Sequence, residues 1–361
     1  MALTRAFKNA VHQRRSKTPL VINGDMAVAQ RGTSDVTGLG DGDEGYVLHD
    51  RMRHTLEAGA GRYTCKQTAD VPSDSGFDKC LELDCTTADT SIAATEVFNL
   101  DYRMEGHDLQ HLKYGTSDAE YLTVGFWMKA DAAVVYSVGF IEVDNSRSIR
   151  QVFTTGTSWT YHCIPFIGDT VSGPNDDVGE GMRLRFTFHG GSDFTGGTLA
   201  TSWESTTAAN FHVGGGSFFA STDRSIKMTG LQLERGYFTA ETMPPFQHES
   251  MGENLERCQR YYQTYAQPPL CGIANASGTY ARAKMSLQTE MRAAPSATHN
   301  GTFNYFVNNS IQPTTTAFSA TYLDTNVVEF DATTNVTSMT AKDPIFCMQS
   351  GSGSLDLDAE L

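Results

Sequence analysis

Residues 120–130 read EYLTVGFWMKA, with Leu122, Val124, Phe126 and Met128 alternating with Tyr121, Thr123, Gly125, Trp127 and Lys129. A period of two predicts a strand whose first set faces a core and whose second set faces away. Residues 182–189 repeat the pattern, Met182, Leu184, Phe186 and Phe188 against Arg183, Arg185 and Thr187. Further short apolar runs at 60–68, 78–85, 133–143, 148–155, 158–166 and 225–234 read as strands, with turn clusters such as Pro72 to Gly76 between them. Residues 20–30 read as a strand broken at Asn23-Gly24-Asp25, and 34–45 as an acidic, glycine-rich loop. Many short strands joined by turns predict an all-β chain built on a jelly-roll β-sandwich.

Two stretches change period. At the N-terminus Leu3, Phe7, Ala10 and Val11 fall near helical spacing, and a basic run with Pro19 ends that short helix. Between 249 and 265, Ser250-x-x-Glu253 forms a capping box ahead of Leu255, Cys258 and Tyr262 on one face, and Pro268-Pro269 closes the segment. Strand character then returns, at Ala281 to Met291, Tyr305 to Val307, Asn326 to Phe330 and Ile345 to Met348. The expected organisation is a basic arm over 1–19, a jelly roll over 20–248, a linker helix over 249–266 and a smaller β-sandwich over 267–361.

Charge narrows the function classes. The chain carries a formal −15, while Arg5, Lys8, Arg14, Arg15 and Lys17 lie in a first segment with no acid. An acidic body excludes nucleic acid as the expected ligand, because gripping a phosphate backbone takes clustered cations. No apolar run approaches the ~20 residues of a membrane span, so no membrane insertion is expected. The 7 cysteines contain no CxxC and read as scattered thiols.

The catalytic search is negative: GxSxG, HExxH, a P-loop and a strand–GxGxxG–helix are all missing from the sequence. A non-enzymatic role is expected, with no metal or cofactor. A structural calcium is left open at two acidic turns, Asp41-Gly42-Asp43-Glu44-Gly45, which fails the EF-hand pattern, and Asn175-Asp176-Asp177 with Glu180. The aromatic residues are the better candidates. Trp159 and Tyr161 share one face of 158–166, and Trp203 lies in a loop-rich stretch. Rings exposed on a β face can stack on the apolar faces of pyranoses, so these three are the candidate glycan-binding residues. Trp127 points either to solvent or into the sandwich. At the N-terminus, Leu3, Phe7, Arg14 and Arg15 are candidate docking residues, a basic amphipathic arm suiting an acidic protein surface.

Three segments carry a resemblance to known families, two to phage virion proteins and one to carbohydrate-binding modules. Leu20 to Gly32 (LVINGDMAVAQRG) followed by Asp50-Arg51-Met52 resembles the opening of phage tail-associated proteins, with Met52 where tryptophan is usual. Leu122 to Ala130 is similar to a strand of carbohydrate-binding-module jelly rolls. Met228 to Gly236 (MTGLQLERG), Pro245-Phe246 and Gly252 to Gln263 (GENLERCQRYYQ) resemble the end of many phage fibre and virion-surface sequences. The resemblance spans 20–265 and implies a jelly roll carried on a bacteriophage virion, recognising host surface polysaccharide beside other virion proteins. Multivalent display implies a homo-oligomer, a trimer first. A purely structural capsid-decoration or tail-collar protein and a polysaccharide depolymerase are the alternatives.

Overall fold

The computed structural model describes residues 19–266, 268–274, 280–307, 310–312, 315–334 and 344–361. The segment expected to form an N-terminal helix, and with it Leu3, Phe7, Arg14 and Arg15, lies outside the described residues. Two compact units divide the chain between Asn254 and Leu255, with Leu361 grouped with the first.

The first unit is a β-sandwich. Its strands are β1 (Val36–Leu39), β2 (Gly45–Tyr46), β3 (Met52–Glu57), β4 (Arg62–Thr68), β5 (Cys80–Thr87), β6 (Val97–Glu105), β7 (Leu122–Ala130), β8 (Val135–Glu142), β9 (Arg147–Thr154), β10 (Thr160–Phe166), β11 (Glu180–Gly190), β12 (Glu204–Ser205) and β13 (Ser225–Arg235). One sheet runs β1-β4-β5-β13-β7-β10 and the other β12-β9-β8-β11-β6-β3-β2. The alternation written into β7 and β11 works as predicted: Leu122, Val124, Phe126 and Met128 of one sheet and Leu184, Phe186 and Phe188 of the other are all buried in one core. Phe126 meets Phe186 edge-on across the interface, centroids 5.0 Å apart, a favoured aromatic geometry.

The stretch 20–30 is not a strand. Asn23 and Met26 take left-handed backbone angles, φ 60 and 58, which a strand cannot contain and asparagine tolerates better than most residues. Asn23 instead organises the turns: its Nδ2 donates to Val28 O and Asp50 O, both at 2.9 Å, and its Oδ1 accepts from Val28 N at 2.8 Å. The acidic stretch 34–45 is also not all loop, since β1 occupies part of it.

The predicted capping box forms, Ser250 Oγ donating to Glu253 Oε2 at 2.7 Å and accepting from Glu253 N at 3.3 Å. The helix covers Met251–Gln259 only. Tyr262–Tyr265 is a strand, β14, paired with β21 below, because the aromatic residues there bury better on a sheet than on one more helical turn. Leu255 is half-buried, while Cys258 and Tyr262 are buried.

The second unit is also β. Its strands β15 (Cys271–Ala274), β16 (Tyr280–Ser286), β17 (Ser296–Val307), β18 (Ser310–Gln312), β19 (Thr315–Leu323), β20 (Val327–Thr334) and β21 (Pro344–Asp358) form one sheet in the order β18-β17-β21-β15-β16-β20-β19. Leu270, Met285, Val328, Phe330, Ile345, Leu355 and Leu357 belong to its core.

Candidate functional site

The outer face of the six-stranded sheet collects the residues that β7, β10 and β13 turn away from the core. Register places Tyr161 opposite Trp127, Cys163 opposite Gly125, and Thr229 opposite Trp127 on the other side. The Trp127 and Tyr161 rings lie 5.3 Å apart at 47°. Trp159, just ahead of β10, is half-buried like both of them. Two of the residues chosen from the sequence, Trp159 and Tyr161, are therefore brought together, and Trp127 joins them on the outward side.

Glycines make this arrangement possible. A Cβ on Gly125 would sit 2.4 Å from the Tyr161 hydroxyl and 3.1 Å from Gln232 Cγ, so only glycine lets the phenol lie across β7. Gly230 occupies a bulge between Thr229 and Gln232, with φ +64, and a Cβ there would be 2.6 Å from the Phe77 ring and 3.1 Å from Trp127. The bulge keeps Leu231 and Leu233 in the core while aiming Gln232 outward. Gly230→Ala is expected to cost about 1–3 kcal/mol or more from the left-handed backbone alone, read as a lowered denaturant midpoint.

Polar groups ring the aromatics. Asp70 accepts from Lys227 Nζ at 2.6 Å, Lys129 Nζ at 2.9 Å and Trp159 Nε1 at 3.3 Å. The hydrogen bonds from Lys227 and then Lys129 hold its carboxyl well below the usual carboxylate range. Burial works against the charge on Lys227, but Asp70 and Glu82, the latter 3.4 Å away, raise its pKa overall. Gln232 Nε2 donates to Tyr161 OH at 2.9 Å and to Pro244 O at 3.2 Å. Burial pushes the Tyr161 phenol up, so it stays a neutral hydroxyl. Residues after β13 cross one end of the face, Phe238 N donating to Thr123 Oγ1 at 3.2 Å and Met243 lying buried beside Gly125. The result is a ring surface bordered by fixed donors and acceptors, which can stack on a sugar and fix its hydroxyls.

Trp203 lies elsewhere. Its Nε1 donates to Ile167 O at 2.6 Å, its ring meets Tyr114 edge-on at 5.8 Å, and it packs on the core. The acids of the two turns are held locally: Asp41 accepts from Ala58 N at 2.8 Å, Glu44 pairs with Arg53 at 3.0 Å, Asp177 accepts from Gly179 N at 2.8 Å and Glu180 takes Arg183 at 2.6 Å. Among the described residues the group with converging metal-ligand atoms is Glu105, His107 and Asp108, outside both turns.

The outer face of the seven-stranded sheet is charged but closed on itself. Arg185 forks onto Asp101 at 2.8 and 2.7 Å. Arg150 is fully buried with its guanidinium 4.2 Å from the Phe211 ring centroid, and burial, then Arg185, pushes its pKa down to about 9.

No protein-family model and no curated protein matches the chain. Among solved structures it is similar to the family 11 carbohydrate-binding module of the cellulosomal cellulase Lic26A-Cel5E of Clostridium thermocellum, at 12% identity over 58% of this chain and 99% of that one, TM-score 0.29. It is similar also to the family 30 module of the cellulosomal cellulase CEL9D-CEL44B of Clostridium thermocellum, at 14% identity, 56% and 97% coverage and TM-score 0.29. TmCBM61 in complex with β-1,4-galactotriose gives 12% identity, 51% and 88% coverage and TM-score 0.26. Likeness at this level says nothing of ligand, and the sandwich is established by its own strand pairing.

Proposed function

We propose that this chain is a bacteriophage virion component, tail-associated, whose jelly roll recognises host surface polysaccharide through the outer face of the six-stranded sheet. The observation that carries the glycan part is the paired rings of Trp127 and Tyr161 with Trp159 beside them, bordered by Asp70, Lys129, Lys227 and Gln232. Paired rings supply apolar contact with little loss of side-chain freedom, and the surrounding network is already ordered, so little rotamer entropy remains to be lost on binding. The virion part rests on the sequence segments 20–32 with Asp50-Arg51-Met52, and 228–236 with Pro245-Phe246 and 252–263. The protein binds rather than cleaves, and it acts as a homo-oligomer, trimeric in the first instance, since several weak sites gain avidity when linked.

Three experiments separate this reading from its alternatives. Labelled antibody on virions, imaged by negative stain, should mark the tail; labelling on the capsid alone favours the decoration-protein reading. A glycan array probed with the purified oligomer should give a defined set of hits, and a blank array with correctly folded protein refutes sugar recognition. Reducing ends released from host polysaccharide would make it a depolymerase.

A further inference from the structure

Three exposed apolar side chains gather where β7, β10 and β13 reach one end of the six-stranded sheet. Tyr121, Ile167 and Tyr237 are 36%, 47% and 62% exposed. Register accounts for the gathering. Leu122 pairs with Phe166 on one side and with Arg235 on the other, which brings Ile167 level with Tyr121. Gly236 N donates to Tyr121 O at 2.7 Å, which places Tyr237 next to it. The two phenol rings meet edge-on, centroids 5.4 Å apart at 84°. Apolar groups held together at a surface mark an interaction site, whereas single scattered ones do not.

This pair continues the row that carries Trp127. Tyr121, Thr123, Gly125 and Trp127 are successive outward positions, and six residues of strand at ~3.3 Å each put Tyr121 about 20 Å from Trp127. The segment after β13 crosses between the two, with Phe238 N on Thr123 Oγ1 at 3.2 Å and Cys163 Sγ donating to Phe238 O at 3.6 Å. It turns polar groups outward: Thr239 and Glu241 are exposed, Thr239 Oγ1 donating to Glu241 Oε2 at 2.7 Å. The surface therefore runs aromatic, polar, aromatic. A protein partner would bury one continuous apolar centre. A polysaccharide instead offers apolar ring faces and hydroxyls in turn along its length, which matches this sequence of surfaces.

We propose that Tyr121 and Tyr237 form a distal platform of the glycan face, so that the chain grips an extended internal run of several sugars rather than one terminal sugar. The run passes from the Trp127 and Tyr161 rings, over Thr239 and Glu241, to the tyrosine pair. The inference rests on the glycan reading above. A second contact on a glycan already anchored at the first is intramolecular, so it adds affinity without a second loss of translational freedom. The class of glycan follows: an unbranched or sparsely branched stretch that can lie along the strands.

The test titrates the full chain calorimetrically with a size ladder, from disaccharide to octasaccharide, cut from a polysaccharide that scores on the glycan array. Affinity should rise with length and level off once both platforms are spanned. Tyr237→Ala trims an exposed side chain and leaves the core closed. It should weaken the octasaccharide about fivefold or more, the loss of an aromatic contact, and the disaccharide by less than about twofold. Trp127→Ala should weaken both. If Tyr237→Ala melts early, Tyr121→Ala supplies the same comparison. Affinity flat with length, or an octasaccharide held equally well by the folded variant, overturns the distal platform and leaves the glycan reading standing. An equal loss for both lengths also overturns it, because one platform then carries all the binding. A blank array, or no binding by any member of the ladder, overturns the glycan reading and the platform with it.

Discussion

Lowering the pH from 7 toward 4 should strip most of the stability of the first unit, because its buried imidazoles fold in neutral form. Burial drives His49 and His54 down to about 3 from 6.5, and His212 to about 4. His54 is further disfavoured as a cation by Arg53, and it sits with Nδ1 2.9 Å from Tyr63 OH. Above 6.5 both folded and unfolded chains are neutral at these positions and the full stability is present. Below it the unfolded chain takes up protons that the folded one refuses, so unfolding is favoured increasingly down to the folded pKa. Each such site contributes a slope of up to about 1.4 kcal/mol per pH unit. Asp50 and Glu142, raised chiefly by burial, work in the opposite direction once the pH approaches the carboxylate range, so the net slope is smaller there. Against a usual total of about 5–15 kcal/mol, the denaturant midpoint should fall steeply between pH 6 and pH 4 with little change in m. Replacing His49 and His54 by glutamine should flatten the upper part of that fall. A midpoint constant from pH 7 to pH 5 would contradict neutral burial.

Asn23→Ala should be among the most damaging single substitutions. It removes three side-chain hydrogen bonds, to Val28 N, Val28 O and Asp50 O, at a residue 1% exposed. It takes the side-chain partner from Val28 N and Asp50 O, while Val28 O keeps Asp50 N at 3.2 Å, and it places alanine at φ 60. At about 1 kcal/mol or more for each orphaned group, plus 1–3 kcal/mol for the backbone, the expected loss is about 3–5 kcal/mol. Asn23→Gly relieves only the backbone part and should recover a minor share. Equilibrium melts of both variants decide it, and a loss below about 1 kcal/mol for alanine would show that the turn is held by other contacts.

How far the sequence predicts this molecule depends on what each residue must satisfy. β7 and β11 are legible because their outward sets, Thr123, Trp127, Arg183 and Arg185, are polar or amphipathic and their inward sets purely apolar. β6 alternates as regularly, yet Asn99, Asp101 and Arg103 on its outer side make it read as a polar stretch. Their polarity is satisfied by Thr187, Arg185 and neighbouring strands, partners that exist only in the sheet. Residues 20–30 mislead for a similar reason: the apolar run suggests a strand, whereas Asn23 bonds to groups at 28 and 50 that only the folded chain supplies. In the candidate site, Trp159 and Tyr161 follow from their spacing, and Trp127 from the inward set of β7 once the opposing core is known. Trp203 gives no such signal, since nothing local distinguishes a tryptophan packed on Tyr114 from an exposed one. Asp70 and Gln232 are invisible in the sequence, because their importance comes from lysines and a phenol contributed by other strands.

The measurement closest to the central claim is the affinity of the intact chain, wild type and Trp127→Ala, for oligosaccharide fragments of the host surface polysaccharide, with melting curves taken on both. Trp127 is half-buried on the outer face and meets Tyr161, so its truncation should leave the fold intact. It should weaken binding by roughly thirtyfold or more, the loss expected when an aromatic anchor worth about 2 kcal/mol is removed. Unchanged affinity in a folded Trp127→Ala protein would contradict the assignment of this face as the glycan site.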